Sequence, residues 1–260
     1  MDIATERDLA LADMDMALAA ANFAPLRQYL DDPEVFEIRV NKFGQVVCDT
    51  PKGRVLHADP RITYDYLWAL NDHLLSLNGL GRTPISYVKL PDGSRGTFCW
   101  PPATVEGTML MSIRKHLPVS KSLAQLAQEG RFAKVRHRKQ SEQFTLEPFE
   151  EELLELLEKG DVEGFLTLAV KTKRNIAVAG PTGSGKTTLT RSLMGAVPKI
   201  ERVLLMEDTH EIDDDRLDEV GYLMYGEGDG RMSARECLKL CMRLSPDRIF
   251  LTELRDDAAW

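Results

Sequence analysis

Short segments of alternating hydrophobic and polar residues dominate the first part of the chain and are typical of β-strands. After a helical pattern over residues 1–30, residues 36–40 alternate and residues 41–44 form a turn. A second strand is predicted over residues 45–49, followed by a turn at residues 51–53. These segments predict a small β-meander near the start of the chain.

A helix and more strands follow the meander. Residues 63–78 have the spacing of an amphipathic helix with Thr63 as its N-cap, and glycines follow its end. A hairpin is predicted over residues 84–100, with its turn at 91–93, and a further strand over 108–114. We therefore expect an α+β domain over residues 1–116.

The pattern weakens in the middle of the chain. Residues 117–147 read as a linker that contains a short helix near residues 122–129 and a basic run at residues 131–139. Helical periodicity returns at residues 148–159 and 161–173. We expect a second domain over residues 148–260.

A strand, a glycine-rich loop and a helix are predicted in succession in this second domain. Residues 175–179 are a short apolar run that reads as a buried strand, and residues 187–194 have a helical apolar face. Between them, Gly180-Pro-Thr-Gly-Ser-Gly-Lys-Thr187 has two glycines at the spacing of a phosphate-binding loop, followed by lysine and a hydroxyl residue. The pattern predicts an α/β nucleotide-binding domain of the P-loop type.

The residue types of this loop suit a nucleotide triphosphate with Mg²⁺. Glycines let backbone N–H groups turn toward phosphate, Lys186 adds a positive charge, and the Thr187 hydroxyl is a metal ligand. The helix that follows directs its unpaired N–H groups toward the anion. The predicted nucleotide-binding residues are Gly180, Pro181, Thr182, Gly183, Ser184, Gly185, Lys186, Thr187 and Thr188.

Two later segments are apolar strands that end in carboxylates. Residues 202–208 end in Glu207 and Asp208, and residues 247–253 end in Glu253. In an open parallel sheet, ligands bind beyond the carboxyl ends of the strands. We therefore expect these acids to face the nucleotide.

Composition and charge place the chain among soluble globular proteins. Of its 260 residues 43 % are hydrophobic and 28 % charged, which is ordinary, and the net charge of −8 argues against a surface that coats nucleic acid. The four cysteines form no Cys-x-x-Cys pair, so a reducing cytoplasmic location fits. Cys237 and Cys241 are expected to be buried side chains of a helix.

Four motifs together resemble the secretion ATPase superfamily, and within it the hexameric VirB-type ATPases of bacterial type IV secretion and conjugative transfer. They are the loop at residues 180–188, the acidic box at 206–212, a segment at 243–255 that is similar to an atypical Walker B motif, and residues 112–115. The resemblance spans residues 36–260. It implies a RecA-like ATPase domain preceded by the smaller α+β domain.

The resemblance also implies roles for individual residues. Lys186 and Thr187 would hold phosphates and Mg²⁺, Glu207 would polarise the attacking water and Glu253 would support the metal. Arg114 is the first candidate for an arginine that reaches the nucleotide of its own or a neighbouring subunit. Arg95 and Arg131 are weaker candidates.

Two departures from the family pattern bear on activity. Thr252 replaces a glycine before Glu253, and a positive φ at that position would cost about 1–3 kcal/mol. The chain also ends at Trp260, before the downstream histidine box of the family. We therefore expect the chain to be part of a longer protein, whose ATP hydrolysis needs the missing segments.

The expected function is that of an ATP-hydrolysing motor in a homo-oligomeric ring, which the resemblance implies is hexameric, held at the inner membrane by other secretion-system subunits. One alternative is an ATPase of type II secretion or type IV pili, which the absence of a four-cysteine metal motif disfavours. Another is an adaptor that binds nucleotide without hydrolysis. DNA contact through residues 131–139 is less favoured than a solvated tether or subunit contact.

Overall fold

The computed structural model describes residues 22–116, 122–135, 146–226 and 231–253. Contacts group the chain into two units, Met1–His116 with Pro198–Trp260, and Leu117–Val197. The predicted helix before residue 22, the basic residues 136–139 and the end of the motif at 254–255 lie outside the described residues. Within the described ranges, no helix is both long and apolar enough to cross a bilayer.

An antiparallel six-stranded sheet forms the first part of the first unit. Its strand order is β3-β2-β1-β6-β5-β4. The strands are β1 (Glu37–Val40), β2 (Gln45–Thr50), β3 (Gly53–Ala58), β4 (Ile85–Lys89), β5 (Arg95–Cys99) and β6 (Leu110–Arg114). Helix α1 spans residues 22–30 and helix α2 spans Tyr64–Leu77. The sequence predicted all of these strands except β3.

Helix α2 begins and ends where the sequence predicts. The Thr63 hydroxyl accepts a hydrogen bond from the backbone N–H of Tyr66, and Asn78 caps the other end. Leucines of one helix face pack into a core with the inner face of the sheet. The helix is therefore held by its buried face as well as by its cap.

Strand β1 differs from its predicted alternation because both of its faces are buried. Glu37 and Arg39 are 4 % and 0 % exposed, like their apolar neighbours. The Arg39 guanidinium lies 2.9 Å from Glu219 Oε1 and also bonds to Asp49. The polar face of the strand is thus covered by charge-paired side chains instead of water.

The rest of the first unit is a three-stranded parallel sheet of order β8-β7-β9, with β7 at Arg202–Glu207, β8 at Glu219–Met224 and β9 at Arg248–Leu251. Helix α7 spans Ala234–Cys241 and buries Cys237 and Cys241, as expected. One apolar cluster joins these elements to residues of β5 and β6. The sequence predicted β7 and β9, whereas β8 was missed.

The second unit consists of helices in its described residues. They are α3 (Leu123–Gln128), α4 (Pro148–Glu158), α5 (Val162–Lys171) and α6 (Lys186–Gly195). All four confirm helices predicted from the sequence. Helices α4 and α5 pack against each other, and α5 contacts α6.

Candidate functional site

The glycine-rich loop has backbone angles that require glycine. Gly183 and Gly185 have φ of 77° and 87°, in the left-handed region that side chains disfavour. The backbone N–H of Ser184 donates to the Pro181 carbonyl at 3.2 Å, which closes the turn. Replacing either glycine would therefore strain the loop at the point where it enters α6.

Helix α6 starts directly after the loop and lacks a side-chain cap. Gly185 is its N-cap residue, and no side-chain hydrogen bond satisfies the first turn. The first N–H groups of a helix have no acceptor within the helix, and its dipole makes that end positive. Thr187 and Thr188 lie in this turn, with Thr187 half-buried. The N-terminal end of α6 is thus suited to binding an anion.

The Lys186 side chain folds back over the loop. Its Nζ donates to the carbonyl oxygens of Gly180 at 3.0 Å and Pro181 at 2.9 Å. Carbonyl oxygens here stand in for the oxygen acceptors that a phosphate would offer. These residues fit a phosphate group, because the Lys186 ammonium, the N–H groups of the first turn of α6 and the glycines with positive φ lie together.

The segment before the loop corrects one prediction. Residues 175–179 are not a strand, and most of their side chains are exposed. A strand needs a hydrogen-bonded neighbour, and both sheets of the structure are formed without this segment. An apolar run alone was therefore insufficient to specify a buried strand here.

Glu207 ends β7 and is fully buried. Its Oε1 accepts the backbone N–H groups of Glu211 and Ile212, both at 3.1 Å, and its Oε2 lies 2.9 Å from His210 Nδ1. The carboxylate is thus held in one orientation by three neighbours. Asp208, the next residue, is half-buried, and its Oδ1 accepts the backbone N–H of Thr209 at 2.8 Å.

Glu253 lies just beyond β9, which runs parallel to β7 and is hydrogen-bonded to it. Its side chain is exposed, and its carbonyl accepts the Tyr225 hydroxyl at 2.7 Å. Because β7 and β9 are neighbours, Glu207 and Glu253 follow the same edge of the three-stranded sheet. An exposed carboxylate at this edge suits a hard cation such as Mg²⁺.

Thr252 does not have the positive φ, and therefore not the backbone strain, that the sequence left open. Of the non-glycine residues that the structure describes, only Lys173 and Ser245 have positive φ. The backbone N–H of Thr252 donates to the Met206 carbonyl at 3.2 Å. The threonine therefore fits this backbone without the penalty that a positive φ would bring.

The three candidate arginines lie in different surroundings. Arg114 is exposed, and its Nη2 donates to Ser245 Oγ at 2.6 Å and lies 3.6 Å from Glu37. Arg95 is exposed on β5 beside Arg114 in the sheet register. Arg131 lies 3.7 Å from Glu129 in the second unit. The glycine-rich loop belongs to that second unit, whereas Glu207, Glu253 and Arg114 belong to the first.

Sequence reasoning missed His210 as a member of this group of residues. It lies between Glu207 and Asp213, with ring nitrogens 2.9 and 3.0 Å from their carboxylate oxygens. Burial alone would lower the pKa of His210, but hydrogen bonds with Glu207 and Asp213 raise it overall. The spacing of three residues on either side of the histidine was the available signal.

Comparisons with known proteins identify similar chains. Residues 116–259 match the family model described as "Type II/IV secretion system protein". The chain is 37 % identical to the type IV secretion system protein VirB11 of Brucella suis, over 93 % of this chain and 69 % of that protein. It is 34 % identical to the protein VirB11 of Agrobacterium tumefaciens, over 91 % of this chain and 70 % of that one.

A solved structure is similar to this chain in both fold and sequence. The crystal structure of the VirB11 ATPase from the Brucella suis type IV secretion system, in complex with sulphate, superposes with a TM-score of 0.82 at 36 % identity. The match covers 93 % of this chain and 72 % of that one. The predicted fold class, an α/β ATPase domain preceded by a smaller α+β domain, is confirmed.

Proposed function

Because this chain belongs to the type II/IV secretion system protein family and to its VirB11 branch, we propose that it binds and hydrolyses ATP as a motor subunit of a type IV secretion or conjugation apparatus. The observation that carries the proposal is the Lys186 ammonium over a glycine-rich loop at the start of α6. The relatives favour this function over an ATPase of type II secretion or pili.

The loop residues bind the nucleotide in this proposal. Residues 180–188 supply backbone N–H groups, Lys186 neutralises phosphate charge, and the Thr187 hydroxyl is a ligand for Mg²⁺. In this proposal, Lys186 exchanges its two carbonyl acceptors for phosphate oxygens when nucleotide binds. Bound Mg²⁺ would supply charge neutralisation at the phosphates.

The acids and Arg114 act in hydrolysis. Glu207 orients and polarises the attacking water, and Glu253 supports the metal from its exposed position beyond β9. Arg114 contributes a positive charge to the nucleotide of its own or a neighbouring subunit. Because Thr252 has no positive φ, backbone strain at this position gives no support to the non-hydrolysing adaptor.

We propose further that residues 1–116, the linker 117–147 and residues 148–260 are the functional segments of a subunit in a hexameric ring. The ring lies in the cytoplasm and contacts inner-membrane subunits of the secretion system. The linker is proposed as a tether or subunit contact, and DNA binding through its basic residues 131–139 is less favoured because the chain as a whole carries a net charge of −8.

Replacing Lys186 with alanine tests the nucleotide site. ATP turnover and binding of a fluorescent nucleotide should both fall, and turnover should fall by about 100-fold or more, since positioning and charge neutralisation drive phosphoryl transfer. Lys159→Ala, which removes an exposed lysine paired with Glu155, is the matched control and should leave both unchanged. Wild-type turnover in Lys186→Ala would refute the assigned site.

A further inference from the structure

His210 is held between two acids beyond the end of β7. Its Nδ1 faces Glu207 Oε2 at 2.9 Å and its Nε2 faces Asp213 Oδ1 at 3.0 Å. An ionised carboxylate only accepts hydrogen bonds, so each ring nitrogen has to donate. The imidazole therefore carries both protons and a positive charge in this arrangement.

The ring of His210 is also fixed by packing. It meets the Tyr222 ring edge-on, with centroids 5.1 Å apart. The Tyr222 hydroxyl in turn accepts the backbone N–H of Asp214 at 3.0 Å. The side chain of His210 is 26 % exposed, so neighbouring atoms cover most of its surface. Its donor atom is thus directed at Glu207 by the surrounding side chains.

The two oxygens of Glu207 have different partners. Oε1 accepts two backbone N–H groups of the following loop, from Glu211 and Ile212. Oε2 meets only the imidazole among the described residues. A carboxylate offers about four lone-pair directions. The backbone N–H groups thus fix the position of Oε1, and the hydrogen bond from His210 fixes the direction of Oε2.

We propose that His210 is a positioning residue that orients Glu207 Oε2 for the attacking water through its Nδ1–H. The inference rests on the proposed function, in which Glu207 polarises that water. The backbone contacts at Oε1 hold the loop without His210. Loss of the imidazole is therefore expected to misdirect one oxygen while the loop stays folded.

The kinetic test compares His210→Ala with His210→Asn in the full chain. In His210→Ala, kcat should fall by about 10- to 100-fold, the effect of a displacement near 1 Å, with KM changed by less than about twofold. His210→Asn keeps a short donor near the position of Nδ1 and should recover part of kcat. Asp215→Asn, an exposed acid of the same loop, should match the wild type.

Two measurements without nucleotide separate positioning from loop folding. Hydrogen exchange at the amides of Glu211 and Ile212 should stay slow in His210→Ala, because their acceptor is Oε1. NMR titration of the His210 ring should show a lower midpoint in Asp213→Asn than in the wild type. A wild-type kcat in His210→Ala overturns the inference, as does a loss of kcat accompanied by fast exchange at both amides.

Failure of the proposed function has a different outcome. A Glu207→Gln variant that keeps wild-type kcat would remove the role of Glu207, and the inference would fall with it. An active wild type, an inactive Glu207→Gln and an unaffected His210→Ala would leave the proposed function intact. That combination would overturn the positioning role alone.

Discussion

Glu219 joins the two sheets of the first unit through buried charges. Its carboxylate lies 2.9 Å from Arg39, 3.1 Å from Arg54 and 3.0 Å from Arg202, and it accepts Asn41 Nδ2 at 3.0 Å. The side chain is 1 % exposed, and those of Arg39 and Arg202 are 0 % exposed. Replacing Glu219 with glutamine removes the charge and keeps the shape.

The expected loss of stability follows from the charges left behind. Arg202 Nε and Nη2 have no hydrogen-bond partner among the described residues, so Glu219 is its main compensation. Burial lowers the pKa of Arg202 to about 10 even with Glu219 present. Breaking a buried ion pair on one side costs about 3–5 kcal/mol. We expect Glu219→Gln to lower the free energy of unfolding by about that amount.

Urea denaturation followed by tryptophan fluorescence measures this loss, since Trp100 lies in the core beside the six-stranded sheet and the partly buried Trp68 packs against that core. The matched control is Asp218→Asn, which removes an exposed pair with Lys199 and should cost about 0–1 kcal/mol. If Glu219→Gln were no more destabilising than Asp218→Asn, the assignment of a buried charge network between the sheets would be wrong.

Two further variants test the packing of the first unit. Asp59 accepts hydrogen bonds from Arg61 and Tyr29, and the Arg61 hydrogen bond is the main cause that lowers its pKa to about 2. The stabilisation by the ionised Asp59 should be present above about pH 4 and should be lost as pH falls toward 2. Asp59→Asn should therefore lower the free energy of unfolding at pH 7 by about 2 kcal/mol and make it less dependent on acid pH, as measured by urea denaturation at several pH values. An unchanged pH dependence in Asp59→Asn would contradict this role of Asp59. Gly221→Ala places a Cβ 2.6 Å from Leu204 Cδ2, so a fall of about 1–3 kcal/mol is expected in thermal denaturation, and wild-type stability would show that the core yields there.

The elements that the sequence predicted are those set by local signals. Thr63 caps α2 as predicted, Ser122 lies at the start of the predicted short helix, and the turn at residues 91–93 joins β4 to β5. Helix α6 follows the glycine-rich loop as the motif requires. Each signal is carried by neighbouring residues, so the rest of the fold was not needed to read it.

Features that depend on distant residues were not predicted. Strand β1 reads as half-buried in the sequence, but Glu219, about 180 residues later, covers its polar face. Strand β8 starts with that glutamate and contains Gly221, so its composition gives a weak strand signal. The role of His210 becomes visible only in the structure, where Glu207 and Asp213 contact its ring. Residues 175–179 are the opposite case, because the sequence predicted a strand there that the structure does not have. The apolar run is not paired with another strand.

The proposed role of Arg114 at a nucleotide requires that it leave partners within its own chain. It would have to leave Ser245 Oγ, at 2.6 Å, and Glu37, at 3.6 Å, while its side chain is 61 % exposed. Exposed ion pairs contribute about 0–1 kcal/mol and a hydrogen bond to a charged group about 1.5–3 kcal/mol. A catalytic arginine raises the rate by about 10³- to 10⁵-fold, or about 4–7 kcal/mol. The transition-state stabilisation that Arg114 would provide at the nucleotide is thus at least as large as the total of about 1.5–4 kcal/mol lost at Ser245 and Glu37, so these two contacts are compatible with its proposed role. Ser245→Ala, which frees the guanidinium, should therefore leave ATP turnover at or above the wild-type level.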